Sequence, residues 1–143
     1  MSKEAFLKLM EGDLANEYKH MLFYLHSAIV VRGLHREELS EFFLKEAASE
    51  MKHVEEFGKM LLSMGGTPGS KISAYPNCLS NVYDILNYVV KMEMEVVENY
   101  HLRMKQAEEL GTPEGSVLHV FYENQILDSH LTVANVREML KGC

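Results

Sequence analysis

The stretch SEMKHVEEF, residues 49–57, decides how this chain folds. It places Glu50 and His53 three residues apart in a run without Gly or Pro. On a helix that spacing puts both side chains on one face, a turn apart. Such a pair is either a set of metal ligands or a polar patch, and the surrounding face tells them apart. The run extends over 36–64 and stops at Gly65-Gly66. Stepped at about 100° per residue, Phe43, Ala47, Val54, Phe57 and Leu61 gather on one side. Glu50 falls near the centre of that apolar side and His53 lies beside it.

The rest of the chain divides in the same way. The only prolines are Pro68, Pro76 and Pro113, so long Pro-free blocks remain. One block precedes Gly33, and another runs from a cap at Ser80 or Asn81 to Gly111. Thr112 and Pro113 suit the N-cap and first turn of a last block. Strand-like alternation is not sustained anywhere. The expected fold is all-α, with helices over about 3–32, 36–64, 81–110 and 113–140 in a single domain 1–143. Short connections make two antiparallel hairpins, and the long segment TPGSKISAYPNCLSN joins them as a crossover in a four-helix bundle.

Composition narrows the function. A net charge of −7 argues against nucleic acid as the main partner, which needs a basic face. Cys78 and Cys143 are far apart and lack CxxC spacing, so a reducing cytoplasm is the expected setting. The start, MSKEAFLKLMEGD, lacks a signal-peptide core, and the apolar run SAIVV is too short to span a membrane. The ten methionines read as flexible core filler.

Ionisable residues also sit centrally on other apolar faces. Glu93 lies among Leu86, Val89, Val90, Val97 and Tyr100, and Glu17 among Met10, Leu14, Met21, Tyr24 and Ala28. Burying lone carboxylates costs several kcal/mol each, so three of them call for a compensating charge. Carboxylates with neutral imidazoles can hold such a cation. Of the three Glu-x-x-His runs, Glu17–His20, Glu50–His53 and Glu98–His101, the last is off its apolar face and reads as a chance match. On the fourth helix His130 and Glu123 fall near the middle of a wide apolar arc, while Asp128 falls on the polar side.

At these residues the sequence resembles the ferritin-like superfamily, and bacterioferritin in particular. ANEYKHMLFYLH is similar to the first-helix segment that supplies a Glu ligand and a Tyr near the metals, here Glu17 and Tyr24. SEMKH is similar to the second-helix motif, implying Glu50 as bridging ligand and His53 as terminal ligand. Glu93 suits the third-helix ligand, and His130 the fourth-helix His. Leu127 stands where the resemblance calls for a second bridging Glu, leaving Glu123 or His20 as substitutes. The resemblance also implies a haem b ligated by Met51 from each of two subunits, with core packing as the other reading of Met51. The family's short fifth helix is missing, because the chain stops at Cys143, which favours a homodimer over a large shell.

The resemblance therefore implies a centre of two iron ions, with Mn as the alternative, that oxidises Fe(II) with O2 or H2O2. Tyr24 would hydrogen-bond a ligand or donate an electron. A homodimer or larger homo-oligomer is expected. The alternatives are a rubrerythrin-type peroxidase without its rubredoxin-like part, a di-manganese protein, and a non-catalytic helical assembly protein.

Overall fold

The computed structural model describes residues 1–142. Four helices follow one another: α1 Lys3–Val30, α2 Arg36–Ser63, α3 Val82–Glu108 and α4 Glu114–Lys141. They form a ferritin-like four-helix bundle, with no strand among the described residues. Cys78 is an exposed free thiol; Cys143 lies outside the described residues.

The helix ends follow from local chemistry. Ser2 Oγ accepts from the backbone N–H of Ala5 at 3.1 Å and so caps α1. Asn81 Oδ1 accepts from Tyr83 N–H at 2.9 Å and caps α3. Past α2, Gly65 takes φ +87°, and two bonds close the end: Gly66 N–H to Leu61 O at 2.9 Å and Gly65 N–H to Leu62 O at 3.1 Å. This is a Schellman end, which needs a residue that enters the left-handed region freely. The expected cap at Thr112 is corrected. The capping residue of α4 is Pro113 and makes no side-chain bond, while Gly115 N–H donates to Gly111 O at 2.7 Å. Gly115 packs so close to the Ala107 carbonyl that any Cβ there would collide with it.

The chain folds as two compact units. One, residues 7–85, holds most of α1, all of α2 and the long connection. Ser40 Oγ donates to Ala28 O, the Tyr24 and Phe43 rings stack at 6.4 Å, and Glu17 approaches His53. Partner numbers on α1 fall as those on α2 rise, so the two helices are antiparallel. Arg36 closes the turn by donating to the carbonyls of Ile29 and Val31 at 3.0 and 2.6 Å, near the end of α1. The connection then runs along α1. Ser73 N–H donates to Ala15 O, Tyr75 packs edge-on to Phe23, and Arg32 N–H donates to Ser80 O. The crossover is thereby tied to its own hairpin at successive levels.

The other unit comprises residues 1–6 and 86 onward. Tyr100 and Tyr122 meet edge-on at 5.0 Å, and Phe6 meets Tyr122 at 6.1 Å. Lys3 Nζ pairs with Glu114 Oε2 at 2.9 Å. The buried line of α4 is Leu118, Tyr122, Gln125, Ser129, Val133 and Val136.

Candidate metal centre

The buried face of α1 carries Asp13, Glu17, His20 and Ser27 among Met10, Leu14, Tyr24 and Ala28. The buried face of α2 carries Glu50 and His53 among Phe43, Ala47, Phe57 and Leu61. Glu17, His20, Glu50 and His53 are 3, 2, 4 and 6% exposed, so ordinary solvation is not what keeps them there. His53 Nδ1 lies 3.3 Å from Glu50 Oε2 and 3.6 Å from Glu17 Oε2. The first is a long hydrogen bond and the second an ion-pair distance. Glu17, Glu50 and His53 each offer a ligand atom within 4.8 Å of the others, and His20 offers a ring nitrogen within 4.8 Å of a Glu50 oxygen.

Electrostatics express the same closeness. Burial would lower the His53 ring, but Glu17 and Glu50 beside it outweigh that and push it up from 6.5 to about 12. Burial would raise the Glu17 carboxyl, yet Glu50, His53 and the charge of His20 hold it down, from 4.5 to about 2. The metal-free hairpin thus keeps a proton on His53 facing Glu17 and Glu50. A cation at that position would have the same anionic neighbours, with the imidazole as a neutral third donor. Two carboxylates and two imidazoles in a buried patch fit a borderline divalent ion such as Fe(II), and the oxygen donors also suit Mn(II).

The remaining sequence candidates are placed as follows. Glu93 is 1% exposed on α3. Tyr24 is fully buried against Phe43 and Phe23. Glu98 and His101 are both exposed. The expectation for the fourth helix is corrected. His130, Glu123 and Leu127 are exposed, and none belongs to the buried line of α4. Exposed Val120, Leu127 and Leu131 widen the apolar arc and draw its centre away from the buried line. The buried polar residues of α4 are Gln125 and Ser129, which the pattern did not single out. Met51 is 64% exposed, so the core-packing reading of it falls. Asp13 was also missed, although it lies four residues before Glu17 and thus on its face.

A helical bundle with a buried carboxylate–imidazole cluster defines a class of metal-binding helical proteins. Residues 7–142 match the Ferritin family, described as a ferritin-like domain, and the chain belongs to that family. A ferritin-like, diiron-carboxylate protein from Bacillus anthracis str. Ames is 27% identical, with TM-score 0.89 over 98% of this chain and 99% of that one. A bacterioferritin from Desulfovibrio desulfuricans is 19% identical, with TM-score 0.87 over 96% of this chain and 78% of that one. Dps from Thermosynechococcus elongatus is 16% identical, with TM-score 0.88 over 96% and 91%. A comparison with curated proteins gave no match. Among the described residues, no helix is long and apolar enough to cross a membrane.

Proposed function

We propose that the protein binds iron in the α1–α2 hairpin and oxidises Fe(II) as a substrate, with O2 or H2O2 as oxidant. The observation that carries this reading is the convergence of buried Glu17 and Glu50 on His53 Nδ1. Glu50 offers an oxygen within 4.8 Å of a ring nitrogen of each imidazole, which suits a bridging carboxylate. Glu93, buried on α3, is the ligand that the resemblance adds from that helix. Bound iron supplies the electrons, one from each Fe(II), and anionic oxygen donors favour its higher oxidation state.

The residues of the chain do the rest. Glu17 and Glu50 provide negative charge in a patch closed to bulk water, where it acts most strongly. His53 gives up its Nδ1 proton when a cation arrives, so binding is coupled to proton release and tightens as pH rises. Tyr24, buried and packed against the rings of Phe23 and Phe43, is proposed as the hydrogen-bond or electron donor that the resemblance implies. The protein is proposed to work as a homodimer or larger homo-oligomer. A haem between two Met51 side chains is part of the same resemblance, and the exposure of Met51 leaves its sulfur accessible. A Soret band in the purified protein checks that point.

The test is Fe(II) added first without and then with oxygen. Anaerobic addition is expected to saturate at a whole number of ions per chain. Admitting air then produces the near-ultraviolet absorbance of Fe(III) faster than in protein-free buffer. A rate equal to the buffer's defeats the ferroxidase reading. That outcome with tight metal binding would favour the non-catalytic alternative, for which the uncharged buried pair Gln125 and Ser129 on α4 already speaks.

A further inference from the structure

The antiparallel hairpin contains a reciprocity that the resemblance to bacterioferritin does not require. α1 carries Glu17-x-x-His20 and α2 carries Glu50-x-x-His53, and all four side chains are buried. Because the helices run in opposite directions, a step of three residues up α1 matches a step of three down α2. Glu17 accordingly meets His53 at 3.6 Å, and His20 comes within 4.8 Å of Glu50. Each motif faces the other with carboxylate and imidazole exchanged. The expected fourth-helix imidazole, His130, is exposed, and α4 buries Gln125 and Ser129 instead.

Building on the iron-binding reading above, we propose that His20 is a metal ligand, so that the α1–α2 hairpin supplies both imidazoles of the centre. Glu17, Glu50 and His53 take one ion, and His20 with Glu50 takes the second, with Glu50 shared. His20 is 2% exposed, so its ring is already stripped of water. A purely structural His20 would be a second counter-charge for the carboxylates, and metal titration separates that role from ligation.

The probe is Co(II), added without oxygen to the metal-free full-length protein. The wild type is expected to take two ions per chain. Its proton NMR spectrum then shows exchangeable, strongly shifted imidazole N–H signals from two rings. His20→Gln keeps one ring signal, and affinity for the second ion falls at least about tenfold, the lower range seen when groups supporting a metal site are lost. His53→Gln removes the other ring signal, and His130→Gln leaves both. Two ions and two ring signals in His20→Gln overturn the role of His20 while leaving the metal centre standing. A wild type that binds no Co(II) overturns the centre and the proposal together. The wild-type spectrum is decisive without any variant, since a single ring signal at saturation also overturns the proposal.

Discussion

Glu50→Ala is expected to abolish saturable Fe(II) binding and to slow aerobic Fe(II) oxidation at least about a hundredfold, the upper range for losing even a group that merely supports a metal ligand. No other single side chain of the hairpin reaches as far. Glu50 Oε2 lies 3.3 Å from His53 Nδ1, and a Glu50 oxygen lies within 4.8 Å of the His20 ring. Removing it takes an anionic donor from both cation positions at once, whereas removing His20 or His53 takes one donor from one position. Glu50→Gln separates charge from shape, because the amide fills the same volume and keeps an oxygen. It is expected to bind Fe(II) far more weakly than the wild type despite unchanged helix content. The rate is read as the initial rise in Fe(III) absorbance after mixing with air, beside circular dichroism of the same samples. Fe(II) oxidation at the wild-type rate in Glu50→Ala would end the proposal that this cluster is the reactive centre.

The parts of this molecule that were legible in its sequence are those where one period dominates. Along α2 the residues at three- and four-residue steps are Phe43, Ala47, Glu50, His53, Phe57 and Leu61, and all are buried. The polar pair therefore stood out against an unbroken apolar line. Glycines marked the ends of helices because Gly33, Gly65 and Gly111 take φ of +119°, +87° and +75°, which other residues avoid. On α4 the same reasoning failed for a physical reason. Val117, Val120, Leu127 and Leu131 are apolar yet about half exposed, so hydrophobicity ran almost all round the helix and left its phase undetermined. Tertiary packing chose the line through Tyr122, Gln125 and Ser129. The Thr112 cap failed because local preference competes with chain geometry, and the close approach of Gly115 to Ala107 sets the entry to α4. His20 was visible in the sequence only as one of two substitutes, because a lone Glu-x-x-His says nothing about what faces it.

Alanine in place of His53 is expected to destabilise the metal-free protein by about 3–5 kcal/mol near pH 7, the range for breaking a buried ion pair from one side. The loss exceeds that of the contact alone, because Glu17 stays buried with its carboxyl held low while the cation beside it is gone. The dependence on pH identifies the cause. His53 is raised from 6.5 to about 12, so its contribution is full below pH 6.5 and fades as pH climbs toward 12. Glu17 is lowered from 4.5 to about 2, so its contribution is full above pH 4.5 and fades as pH falls toward 2. Both shifts describe one contact, so the metal-free wild type is expected to be most stable between pH 4.5 and 6.5. His53→Ala lacks the cation and loses that maximum. Acid lets its buried carboxyls take up protons, so the gap to the wild type narrows below pH 4.5 instead of holding. Urea midpoints of chelator-treated protein at pH 3.5, 5.5, 7 and 8.5, roughly bracketing these windows, read the effect. His53→Gln controls for the cavity that alanine leaves, since it restores volume without charge. If His53→Gln matches the wild type at every pH, packing rather than charge holds this pair together, and the account of the metal-free hairpin fails.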